Sequence, residues 1–134
     1  MDIKEINGYL SKVLNEATDE EIQAEVKKIS ARFEALTQNC PLTFEKDMNY
    51  NMGNGYYIKG TSACIAINDN TFYDLDEGDI TIFGLANENV GVDNDTKDGV
   101  LFEKSINVGL QDSEIDTILR DLIKAIYEYL KSEI

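Results

Sequence analysis

No histidine and no tryptophan occur anywhere in the chain. The missing histidine removes the commonest general base and the usual partner of a serine or cysteine nucleophile. Glycine-rich phosphate chemistry is missing as well. Gly53 and Gly55 read as lying between strands, and neither a helix start nor a basic residue follows them. The two cysteines, Cys40 and Cys64, form no short-spaced ligand pair or disulfide framework, and they read as small buried side chains. No apolar run approaches the roughly 20 residues of a membrane span. The opening MDIKEINGYLSKVLNE is acidic and broken by polar residues every second or third position, unlike a signal peptide. These absences lead us to expect a cytoplasmic protein that is not an enzyme and carries no cofactor or metal.

Basic residues are scarce too. Lys and Arg total 12 against 26 Asp and Glu, for a net charge of −14 over 134 residues. The excess is concentrated. Residues 68–98 hold nine acids against the single base Lys97, a segment charge of −8. Such a field repels nucleic acid and anionic membrane surfaces and attracts a partner with a basic surface. Tyr50, Tyr56, Tyr57, Phe72 and Tyr73 could in principle stack on bases, but no basic groove accompanies them. Core packing and strand pairing account for them more simply.

Hydrophobic periodicity divides the chain into helix, sheet and helix. Ile3, Ile6, Leu10, Val13 and Leu14 recur at helical spacing, and after a break at Ala17 so do Ile22, Val26, Ile29, Phe33 and Leu36. Thr18 and Glu21 have the spacing of a capping box, and Pro41 ends the run. Residues 2–37 therefore form either two helices or one kinked helix. LTFEKDMNYNM then alternates as a half-buried strand, Gly53-Asn54-Gly55 reads as a hairpin turn, and YYIKGTSACIAI reads as the next strand. Asn68-Asp69-Asn70 reads as a turn, TFYDL as a short strand, and DEGD as another turn. ITIFGLA is apolar on both faces and should be central, and GVLFEKSINVGL is the last strand. Ile115, Ile118, Leu119, Leu122, Ile126 and Leu130 form the stripe of a C-terminal helix. It is capped by Ser113 with Asp116, or by Asp112, and Asp116 stands four residues before Arg120.

The expected fold is one α+β domain spanning 1–134. It has one or two N-terminal helices, a four- to five-stranded antiparallel meander, and a long amphipathic C-terminal helix on one sheet face.

Two acidic groups are the candidate binding residues. Asp74, Asp76, Glu77 and Asp79 crowd the turn before ITIFGLA. Glu88, Asp93, Asp95 and Asp98 lie in the connection after it, which at about a dozen residues is long enough to suggest a function. In a meander the two groups stand at opposite ends of strand 80–86. The stretch VDNDTKDGVLFE looks like a calcium loop, yet the ligand count fails in either register. Starting at Asp93 places Lys97 at position 5 and Lys104 at position 12, and starting at Asn94 places Ser105 at position 12. An acidic inter-strand connection, with Gly99 supplying an unusual backbone angle, is the better reading.

A small acidic chain with this charge segment and no catalytic apparatus resembles, in composition, phage anti-restriction, anti-CRISPR and toxin-immunity proteins. That resemblance implies an inhibitor or DNA mimic that occupies a basic surface of a partner. The order of helix, antiparallel sheet and long C-terminal helix is also similar to acidic secretion chaperones, which implies a homodimer or adaptor that holds a peptide.

Overall fold

A computed structural model describes residues 17–46, 53–70, 78–90 and 98–132. Helix α1, Asp19–Leu36, starts where the sequence says it should. The Thr18 side chain accepts the Glu21 N–H at 3.1 Å while the Glu21 carboxylate accepts the Thr18 N–H at 3.2 Å. This reciprocal box satisfies donors that a helix N-terminus otherwise leaves unpaired. The expected N-terminal stripe upstream of Ala17 lies outside the described residues.

Five strands follow, β1 (Phe44–Glu45), β2 (Gly53–Ile58), β3 (Cys64–Asp69), β4 (Ile80–Leu85) and β5 (Val100–Ile106). They pair in sequence order, all antiparallel. Helix α2, Asp112–Ser132, closes the chain's described part. The architecture is the expected α+β meander with the C-terminal helix on the sheet.

Several local expectations are corrected. Gly53-Asn54-Gly55 is not a hairpin turn but the start of β2, opposite Asn68, Ile67 and Ala66. YYIKGTSACIAI is two strands, because Ile58 and Ala63 close a turn between them, with Ile58 N–H donating to Ala63 O at 3.2 Å. The Thr61 hydroxyl holds that turn, donating to Ile58 O and accepting from Ala63 N–H. Asn68 and Asp69 extend β3 rather than turn, since they pair with Thr81 and Ile80. The alternating stretch from Leu42 contributes only the two residues of β1, and positions 47–52 lie outside the described residues, as does TFYDL. The last strand stops at Ile106 instead of running to Leu110.

Both helices lie on one face. Ile22, Val26, Ile29 and Phe33 of α1 and Ile115, Leu119, Leu122 and Ile126 of α2 join Tyr56, Ile58, Ile65, Ile67, Ile80, Ile82 and Ile106 in one buried cluster. Period-2 alternation sends Cys64 and Ala66 of β3, and Phe83 and Leu85 of β4, to the opposite face. There they form a second buried cluster with Tyr57, Val90 and Val100 against it. Two-sided burial explains why β3 and β4 read as continuous apolar runs. Gly84 lets α2 approach closely, since a Cβ there would stand 3.0 Å from Leu122 Cδ1.

Charge also fastens the helices together. Lys28 and Arg32 stand one turn apart on α1, and Asp112 and Asp116 one turn apart on α2. Arg32 grips Asp116 through two bonds of 2.6 Å and reaches Asp112 at 3.3 Å, while Lys28 reaches Asp112 at 3.0 Å. This overturns the capping role expected of Asp116. The helix begins one residue before Ser113, the Glu114 and Ile115 N–H groups bond Gln111 O, and the Asp116 carboxylate is committed to Arg32. Arg120 is the lesser partner. The Arg32 hydrogen bond holds the Asp116 carboxyl below the usual carboxylate range, with a smaller contribution from Arg120.

Candidate functional site

Of the eight candidate acids, Asp74, Asp76, Glu77, Asp93 and Asp95 lie outside the described residues. Asp79, Glu88 and Asp98 are described, and the fold separates them. Asp79 directly precedes Ile80, the first residue of β4, whereas Glu88 and Asp98 flank the connection from Leu85 to Val100. Six residues of strand lie between these ends, about 17 Å at the antiparallel rise.

Asp79 is half-buried and structurally engaged. Its backbone N–H donates to Ile106 O at 2.8 Å and its carbonyl accepts from Asn70 N–H. Its Oδ2 accepts the Val108 N–H at 3.0 Å, pinning the chain as it leaves β5. Next to it, Asn70 donates to the Thr81 hydroxyl at 2.8 Å, which lies 3.0 Å from Ser105 Oγ. This polar row crosses β3, β4 and β5 on the face away from the helices. Asp79 is thus spent on fixing where three strands end.

Glu88 and Asp98 are exposed. Glu88 accepts a hydrogen bond from the Tyr57 hydroxyl, which ties the start of the connection to β2. Asp98 precedes Gly99, whose φ of +84° is the left-handed angle expected of it. A Cβ at Gly99 would also stand 2.7 Å from Val90 Cγ2, so both angle and space demand glycine. Gly99 O then accepts the Ala86 N–H at 2.8 Å, closing the neck of the connection. The second half of the apparent calcium loop, from Val100 onward, is β5, so strands stand where such a loop requires a helix. Among the described residues, no group of three Asp, Glu, Cys or His side chains could hold a metal ion.

Cys64 lies beneath this end of the sheet, fully buried. Burial, with a smaller contribution from Glu88, pushes its thiol up to about 11. At neutral pH it is therefore protonated and unreactive, the small core side chain expected. Cys40 is half-buried at the end of α1.

Two cavities are formed by described residues. One, of about 430 Å³, lies between the end of α1 and β1, lined by Phe33, Glu34, Thr37, Leu42, Phe44 and Tyr56 among others. Phe33 packs edge-on to Phe44 with centroids 4.9 Å apart, and Tyr56 tilts against it at 4.8 Å. The other, of about 540 Å³, is a groove between β5 and α2, with Lys104, Ser105, Ile106, Leu110, Glu114 and Ile118 in its lining. Sequence reasoning missed this groove. Its one sequence signal is the charged pair Glu103-Lys104 interrupting an otherwise apolar last strand, as edge strands often show.

No helix among the described residues is long and apolar enough to cross a membrane. Comparison with protein-family models, curated proteins and solved structures finds no match. The chain is an α+β protein with an antiparallel five-stranded sheet.

Proposed function

We propose that this is a non-enzymatic acidic binding protein that occupies a basic surface of a protein partner, in the manner of an inhibitor or immunity protein. The observation that carries this reading is the −8 charge of residues 68–98 within a chain of net charge −14. The internal use of cations supports it. Lys28 and Arg32 are drawn into the seam between the helices, where they pair with Asp112 and Asp116. The carriers in this reading are Glu88, Asp93, Asp95 and Asp98, with Asp74, Asp76 and Glu77 as a separate group. Complementarity to Lys and Arg supplies association rate and selectivity more than raw affinity.

The test is affinity capture from a lysate of the source cells, with mass-spectrometric identification. Wild type is compared with two variants, one neutralising Glu88, Asp93, Asp95 and Asp98 and the other Asp74, Asp76 and Glu77. The reading predicts a basic partner lost from at least one variant. Retention of the same partner by both variants contradicts it.

A further inference from the structure

We propose that the outer edge of β5, with the groove between it and α2, docks an extended, cationic segment of the partner, which pairs as a sixth strand. The proposal rests on the acidic-binder reading and adds to its loop acids a second contact, through Glu114 and Asp121. β5 stands last in the sheet and, among the described strands, pairs with β4 alone. It has seven residues, against two for β1 at the other edge, so the β5 edge offers the longer template. Glu103, Lys104 and Ser105 are exposed in mid-strand, and the main chain there is within reach of an incoming strand.

The groove supplies what bare edge pairing lacks, which is selectivity for side chains. An added strand would send every second side chain toward α2. Ile106, Leu110 and Ile118 form an apolar floor of partly or fully buried side chains. On the helix side Glu114, Ile118 and Asp121 follow at four- and three-residue steps, an apolar position between two exposed acids on one face. The complementary strand carries an apolar residue for Ile118, flanked on the same side by lysine or arginine for Glu114 and Asp121. Lys104 is the one cation among the lining residues. The −14 net charge disfavours an acidic occupant.

A second copy of the chain fits less well. Each copy would bring −14, and a two-fold axis centred on Glu103 or Lys104 sets that residue opposite itself, opposing like charges.

The probe is a fluorescein-labelled synthetic peptide with lysine and valine alternating along one face and threonine along the other. Its controls are the same peptide with alternate edge-pairing amides N-methylated, and one with glutamate for lysine. Binding is read by anisotropy at low salt and by amide shifts of the labelled protein. We expect N-methylation to weaken binding about ten-fold or more, with shifts centred on residues 103–107 and 114–118. The surface double variant Glu114→Lys, Asp121→Lys should also lose affinity without a change in fold. Equal binding of methylated and unmethylated peptides, or shifts confined to the 86–99 connection, overturns edge docking and leaves the acidic-binder reading standing. Binding of neither lysine peptide overturns edge docking, while the acidic-binder reading stands or falls on the capture experiment. Preference for the glutamate peptide, or a dimer in solution with protected β5 amides, overturns the assigned occupant.

Discussion

The Asp116 carboxylate is bound at both oxygens by Arg32, and that one contact makes the stability of the molecule depend on acid. Because its folded value lies below that of an unfolded aspartate, the group stabilises the native state at neutral pH. The stabilisation is lost as pH falls through the folded value. Asp116→Asn should therefore lower the melting temperature at neutral pH and flatten its acid-side decline, a profile that thermal scans across pH measure directly. Asn68 presents the opposite case. It is fully buried on the face away from the helices, and neither its amide nitrogen nor its oxygen finds a hydrogen-bond partner among the described residues. An unsatisfied buried polar group costs about 1–3 kcal/mol, and an apolar residue of like shape removes that cost. Asn68→Leu should leave urea stability unchanged or raise it by about 1 kcal/mol. A loss of more than that would mean the amide has a role this account does not give it.

At the scale of elements, packing of helix on sheet outweighs any surface pairing. Phe33 sits fully buried where α1 meets β1 and β2, in ring contact with Phe44 and Tyr56. Phe33→Ala should cost about 3–5 kcal/mol, read by denaturant unfolding, because it removes the transfer energy and opens a cavity. Gly84 tests the opposite limit. Gly84→Val forces bulk onto Leu122 and Ile126 and should cost about 1–3 kcal/mol through overpacking. The helices were legible in sequence because a 3.6-residue stripe and the Thr18–Glu21 box act within single elements. β4 was legible for a related reason, since burial on both faces leaves a run with no polar residue except Thr81. The turn at 59–63 was missed because the aromatic and β-branched residues on either side of it, Tyr56, Tyr57, Ile58 and Ile65, read as one strand, although Gly60, at φ +82°, and the Thr61 hydroxyl make the bend. The true role of Asp79 was not legible, since its partner Val108 lies 29 residues away and is brought near only by the β4–β5 pairing. The bond between Arg32 and Asp116 spans 84 residues, beyond any local pattern.

For the whole molecule, the meander fixes which acids can act together. Of the described candidate acids, Asp79 stands at the start of β4 and Glu88 and Asp98 beyond its end. The groove lies between the end of β5, at Lys104–Ile106, and the first turns of α2. Binding built on such charge should weaken as ions screen it, with a screening length near 8 Å at physiological salt. The most direct measurement is therefore the affinity of the protein for its captured partner across a salt series, for wild type and for the variant lacking the acids of the 86–99 connection. Affinity should fall steeply with salt for wild type, and should be lower with a shallower dependence for the variant. Affinity that does not change with salt, and is the same for both proteins, would contradict the acidic-binder reading.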